Sequence, residues 1–226
     1  MAEFEVREVE GMRQVRLSIA NESVRARRGA MSTMRGDIAL VPRLPDFGSM
    51  VRSMFVSEAR VRPYYTGTGT IMLQPSLGGY HLLQVEQGER WILEPGVYWA
   101  SEAKVNLGLY RERFFPSLWA GDGCFPFKTT VAGTGTVAIN APGPVETVDV
   151  VDGALKVQGR LVLGRTDGLK FSSQRSARFP RNLISGQRRL RAFSGTGKAL
   201  VCWTPYWNQH MYERMTGEGI EGSLFE

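Results

Sequence analysis

The sequence predicts an all-β protein built from three tandem modules, and three observations predict it. A Gly-Thr-Gly segment running into an apolar strand occurs as Gly67-Thr68-Gly69-Thr70-Ile71-Met72-Leu73, as Gly133-Thr134-Gly135-Thr136-Val137-Ala138-Ile139 and as Gly195-Thr196-Gly197-Lys198-Ala199-Leu200-Val201, the starts 66 and 62 residues apart. A second glycine landmark, at Gly29, Gly96 and Gly159, precedes these by 38, 37 and 36 residues. Two landmarks in one order, three times over, are the signature of internal triplication. Third, apolar and polar residues alternate in short runs bounded by turn dipeptides, the period-two pattern of half-buried strands.

In chain order, residues 12–81 make module 1, residues 82–152 module 2 and residues 153–203 module 3, with an aromatic tail at 204–226. The second landmark reads Ala26-Arg27-Arg28-Gly29-Ala30, Leu93-Glu94-Pro95-Gly96-Val97 and Val157-Gln158-Gly159-Arg160-Leu161. Between landmarks lie the aromatic segments 47–55, 114–121 and 179–186, expected as loops or single helical turns that close one end of each module. Alternation predicts strands over 98–105, 129–139 and 145–151, and puts Leu155, Val157, Leu161 and Leu163 on one face of another. Asp122-Gly123, Asp152-Gly153 and Asp167-Gly168 read as turns between strands. Gly67, Gly69, Gly133, Gly135, Gly195 and Gly197 read as structural glycines that supply positive φ in tight turns. Such a strand set closes as a sandwich, a barrel or a short β-helix. The tail, from Trp203 to Tyr212, has no counterpart in the repeats and is expected to cover a sheet edge or meet a neighbouring subunit.

At 226 residues and 42% hydrophobic, the chain can build a sizeable core. A unit of about 65 residues alone would bury about 60% of its unfolded surface, against about 70% for the whole chain, so the modules are expected to pack as one body. No apolar run is long enough to span a bilayer, and Met1-Ala2-Glu3-Phe4-Glu5 is unlike a targeting peptide, which predicts a cytoplasmic protein. Cys124 and Cys202 occupy non-matching positions, as in a reducing compartment.

The net charge of +6 is unevenly spread. Module 2 carries five Lys/Arg against nine Asp/Glu, whereas module 3 carries eleven against one, Asp167. Arg175, Arg178, Arg181, Arg188, Arg189 and Arg191 crowd together near Phe171, Phe179 and Phe193, and Arg25, Arg27 and Arg28 form a smaller cluster in module 1. Arginine among aromatics can neutralise phosphates and stack on bases. The same arginines can instead be solvated or pair, across a subunit contact, with Glu86, Glu89, Glu94 and Glu102 of the acidic module; a head-to-tail contact of that kind closes into a ring.

Catalytic chemistry finds no pattern. The Gly-Thr-Gly segments lack the Lys-Ser/Thr and helix of a phosphate loop, since Lys198 is followed by Ala199 in a strand-like run. His81 and His210 are the only imidazoles, no G-x-S-x-G elbow exists, and Cys124 sits in the apolar stretch Gly123-Cys124-Phe125-Pro126-Phe127. Zinc-type paired ligands at short spacing are missing. The expectation is therefore no catalytic, cofactor or metal site.

With these landmarks in place, the chain resembles the altered inheritance of mitochondria protein 24 family over residues 12–203, on the ordered set of Glu22 to Met34 with its central Gly29-Ala30-Met31, the Pro95-Gly96-Val97-Tyr98-Trp99-Ala100-Ser101 block and the repeated Gly-Thr-Gly strands. The resemblance implies a fold similar to the tryptophan RNA-binding attenuation protein, a short double-stranded β-helix that assembles as rings. Each module would be one ring unit in a pseudo-threefold arrangement, and a homotrimer would supply nine. It transfers no catalytic residues. The expected function is thus a non-enzymatic, ring-like, homotrimeric scaffold with a protein or membrane-associated partner; the alternative is RNA binding through the arginines of module 3.

Overall fold

Turn chemistry sets the strand boundaries at the start of the chain. The structure, a computed structural model, describes residues 2–41, 62–76, 78–112, 127–158, 161–176 and 189–203. β1 (Glu3–Val9) and β2 (Met12–Ala26) are joined by Glu10-Gly11, whose φ angles of 51° and 78° suit a two-residue hairpin turn twisted like the strands it joins. Gly29, at φ 75°, turns β2 into β3 (Met31–Val41). Gly96, at φ 83°, turns β6 (Arg90–Leu93) into β7 (Tyr98–Glu102). Both glycines of this landmark are turn residues; Gly159, the third, lies outside the described residues.

The remaining strands are β4 (Tyr64–Leu73), β5 (Tyr80–Val85), β8 (Asn106–Arg111), β9 (Phe127–Ala132), β10 (Gly135–Asn140), β11 (Val145–Val157), β12 (Val162–Thr166), β13 (Leu169–Arg175) and β14 (Arg189–Cys202). Among the described residues all regular structure is β, and no helix is long and apolar enough to cross a membrane. The strands form two antiparallel sheets. Sheet A runs β3-β4-β2-β7-β10-β5 with β1 also on β2; sheet B runs β11-β14-β12-β6-β9-β8 with β13 also on β14. The second repeat straddles the two, with β5, β7 and β10 in sheet A and β6, β8 and β9 in sheet B. The boundaries expected at 81/82 and 152/153 fall inside β5 and β11.

Three apolar cores follow from this layout. Core 1, with Val15, Leu17, Tyr65, Ile71 and Leu73, draws its strand residues from sheet A alone. Core 2 lies between the sheets, Val85, Tyr98, Val137 and Ile139 from sheet A meeting Trp91, Leu93, Val131, Leu163 and Leu200 from sheet B. Core 3, with Val157, Val162, Leu169, Phe171, Phe193, Ala199 and Val201, belongs to sheet B alone. Matched positions of the three repeats enter different cores: Tyr65, Val131 and Phe193, then Ile71, Val137 and Ala199, then Leu73, Ile139 and Val201. In the first and third repeats these are positions of one strand, β4 or β14, whereas in the second Val131 lies on β9 and Val137 and Ile139 on β10.

Those glycines are not hairpin glycines. Gly67 and Gly69 lie within β4, Gly195 and Gly197 within β14, Gly135 opens β10, and only Gly133 sits in a link, where the chain passes from β9 in sheet B to β10 in sheet A. At Gly67, Gly69 and Gly195 the physical demand is close approach of backbones, whereas at Gly135 and Gly197 a Cβ would meet neighbouring side chains. At φ 136° and 153°, a Cβ on Gly67 or Gly69 would collide with the carbonyl oxygen of Asp37 or Arg35 on β3. Asp152-Gly153 is likewise no turn but an irregularity within β11, with Asp152 at φ 45° where the register on β14 shifts. Asp167-Gly168 does join β12 to β13. Leu155 and Val157 end β11 while Leu163 lies in β12, two strands rather than one. The three aromatic segments, Asp122-Gly123, Cys124, His210 and the tail from 204 fall outside the described residues.

Candidate functional site

The opposite charges of the second and third repeats meet inside the chain. β6 runs into Glu94, β8 is followed by Glu112, β9 carries Lys128, β12 carries Arg165 and β14 carries Arg191; all five are at least nine-tenths buried. Lys128 Nζ lies 2.7 Å from Glu94 Oε1 and 3.3 Å from Glu112 Oε2. Arg165 Nη2 lies 2.5 Å from Glu112 Oε2, and its Nε donates to the Leu169 carbonyl at 3.0 Å. Arg191 Nη2 is 3.8 Å from Glu94 Oε2. Aromatic faces complete the setting: Arg191 lies 5.0 Å and Lys128 5.1 Å from the ring centre of Phe171, and Arg165 lies 5.7 Å from that of Phe193. Nearer the surface, Lys198 Nζ reaches Glu89 Oε1 at 2.7 Å.

These contacts correct one expectation and sharpen another. Glu89 and Glu94 are partners of third-repeat cations, as anticipated, but within one chain rather than across subunits. Arg191, expected on a polyanion or subunit face, is buried against Glu94 and Phe171. Arg175 is exposed on β13. Arg178, Arg181 and Arg188 lie outside the described residues, and Arg189 opens β14. Glu86 takes part in the turn before β6, where its carbonyl accepts from the Glu89 N–H; Glu102 pairs with Lys104 at 2.7 Å and accepts from the Thr136 N–H.

The smaller arginine cluster is also engaged. Arg25 donates to the Tyr64 hydroxyl at 3.1 Å and lies over that ring, Arg27 stacks on Trp99, and Arg28 is exposed. Arg62 donates to Thr129 Oγ1 at 2.9 Å and lies 4.7 Å over Tyr98, tying the first repeat to the second. Burial raises the Tyr98 phenol pKa, against the opposing charge of Arg62 and the Ser101 hydrogen bond. Burial lowers the pKa of His81, on β5, and pushes Tyr80 up to about 12. Cys202 is a buried free thiol. Among the described residues, no three His, Cys, Asp or Glu side chains form a metal-ligating group.

A family model described as Mitochondrial biogenesis AIM24 matches residues 4–202. The chain belongs to that family. The AIM24 match spans both sheets and all three repeats. A Streptococcus pyogenes protein solved by X-ray crystallography in a structural genomics programme is similar in fold, with a TM-score of 0.71 at 17% identity, covering 96% of this chain and 100% of that chain. No curated protein matches.

One surface feature of this AIM24 chain escapes sequence inspection. On the outer face of sheet A, away from core 1, Arg7, Arg16, Thr33, Arg35, Thr70 and Met72 line a cleft of about 400 Å³. Four different strands supply these side chains, so only the pairing register brings them together. The available signal was the excess of bases in residues 12–81, ten against four acids, which gives no location.

Proposed function

We propose that this chain is a non-enzymatic, self-associating β scaffold of the AIM24 family that presents its surface to a protein or membrane-associated partner. One observation carries the reading: the sheets end in long, exposed edge strands. β3, of 11 residues, pairs only with β4, and β11, of 13 residues, pairs only with β14, among the described residues. Both lie largely in solvent and carry exposed apolar side chains, Met34 (38%), Leu40 (50%) and Val41 (43%) on β3 and Val151 (73%) on β11. An unpaired edge of this length is a template for another strand unless charge, proline or a covering segment blunts it.

The two edges belong to opposite sheets, so a contact of β3 on one copy with β11 on the next is head-to-tail and closes into a ring when the rotation permits. The entry of matched repeat positions into three separate cores supports a pseudo-threefold chain, and with it a homotrimer of nine modules. Because Arg165, Arg191 and Lys198 are committed within the chain, the contact does not need them. The alternative, RNA binding by the third repeat, retains exposed Arg175 but not Arg191.

Light scattering tests the reading. The expected mass is about 76 kDa for three copies of 25.2 kDa. Leu40→Lys and Val151→Lys should each give monomers, because a head-to-tail contact needs both edges in every copy. A wild-type monomer, or trimers that survive both substitutions, would overturn the proposal. Mass gained with RNA and lost on adding salt would favour the alternative.

A further inference from the structure

The cleft on the outer face of sheet A has the composition of an anion site rather than of a solvated sheet face. Glu5 on β1, Arg16 on β2, Met72 on β4 and Thr33 on β3 lie opposite one another along one rung, and Ser18, Thr70 and Arg35 form the next. Arg7 stands two residues along β1 from Glu5, opposite Gln14, which places it diagonally across from Arg16. Arg16 and Arg35 are two strands and one rung apart, roughly 12 Å between backbones by ordinary strand spacing. Two arginine side chains reaching inward span that gap with room for one small anion between them.

The charges in the cleft do not cancel. Its lining holds three guanidinium groups, two threonine hydroxyls and one thioether, and no carboxylate. Glu5 sits beside the lining at 3.7 Å from Arg16, with both side chains about half exposed, and Asp37 stands one rung beyond Arg35 on β3 without an ion pair to it. Arg7 and Arg35 make no ion pair or side-chain hydrogen bond among the described residues. Arginine in such an array takes phosphate by paired N–H donors, and threonine hydroxyls donate to the remaining oxygens. A cleft of about 400 Å³ accepts a phosphate with a small organic body, for which Met72 supplies an apolar floor.

We propose that this cleft binds a phosphate group, carried by a small phosphorylated metabolite or a lipid headgroup, with Arg16 and Arg35 as clamps and Arg7, Thr33 and Thr70 as supporting donors. The inference goes beyond the scaffold reading and does not depend on self-association: Thr33 and Arg35 stand on β3, an edge strand of that reading, but the cleft uses their side chains on the sheet face and not the free backbone edge.

Titration of the full chain with inorganic pyrophosphate by calorimetry, and with phosphatidylcholine vesicles with or without phosphatidic acid by flotation, tests it. Binding in at least one arm is expected: to pyrophosphate if free phosphate suffices, to phosphatidic acid vesicles alone if the source is a headgroup. Arg16→Gln and Arg35→Gln should weaken it by about tenfold to a hundredfold, the worth of a charged hydrogen-bond pair. Arg16→Lys, which keeps the charge but loses the fork, should fall between. Arg175→Gln, a distant exposed arginine, should bind as wild type. Thr33→Glu sets a carboxylate among the guanidinium groups and should abolish binding while leaving the thermal midpoint in place, separating occlusion from misfolding. No binding in either arm, an equal loss in Arg175→Gln, or undiminished binding by Thr33→Glu would each overturn the proposal.

Discussion

Replacing Glu112 by Gln removes the carboxylate shared by Lys128 and Arg165, two cations that are each 1% exposed. In the wild type, Glu112 lies against both Lys128 and Arg165; the variant leaves Arg165 without that carboxylate and Lys128 with Glu94. Taking one partner from a buried ion network costs about 3–5 kcal/mol, because the charge left behind has lost its water and has nothing in return. For a chain of this size, about 1 kcal/mol moves the melting temperature by about 2–4 °C, so Glu112→Gln should lower it by about 6–20 °C. Calorimetry and urea unfolding measure both quantities. The double variant Glu112→Gln/Arg165→Met should recover much of the loss, since the orphaned cation goes with its partner. A cost of Glu112→Gln below about 1 kcal/mol, typical of a surface pair, or a double variant that simply adds the two single losses, would refute the reasoning.

Gly67→Ala should destabilise by at least about 2 kcal/mol, since a Cβ at φ 136° meets the Asp37 carbonyl on β3, whereas Gly88→Ala, with open space around it, should cost less; urea midpoints compare them. Partial burial pushes the Glu89 carboxyl up, but hydrogen bonds from Lys198 and Trp91 outweigh it and hold the folded pKa below 4.5. The Glu89 hydrogen bond and charge raise Lys198 above 10.5. Their stabilisation is therefore full between those values, falls as pH drops through the depressed Glu89 pKa and falls again as pH rises through the raised Lys198 pKa; Glu89→Gln should flatten the acid limb of a melting-temperature profile. Burial lowers the His81 pKa below 6.5, so the unfolded chain takes a proton first as pH falls past 6.5 and stability declines; His81→Asn should remove that decline.

Local periodicity was legible, and spatial convergence was not. The Gly-Thr-Gly landmarks led into strands in all three repeats, and the apolar positions two apart after them, Ile71 and Leu73, Val137 and Ile139, Ala199 and Val201, all reach a core. The positive φ expected of these glycines is present at all but Gly197, but at Gly67, Gly69 and Gly195 its setting is a close backbone approach within a sheet rather than a tight turn, and the two demand the same residue. The charge contrast offered Glu86, Glu89, Glu94 and Glu102 as partners, of which Glu94 joins the buried network and Glu89 pairs with Lys198 nearer the surface, but it could not tell an internal contact from one between subunits. Glu112, set between Arg111 and Arg113, and Lys128, an isolated base, carried no local signal of the contact they make. The cleft of Arg7, Arg16 and Arg35 depends on pairing across β1, β2, β4 and β3, and register between distant segments is not written in any one of them.

The scaffold reading rests most directly on the mass of the chain in solution and its response to the edges. Light scattering on wild type, Leu40→Lys and Val151→Lys at one concentration should give about 76 kDa for the first and 25.2 kDa for the other two. A wild type at 25.2 kDa, or three equal masses, would contradict it.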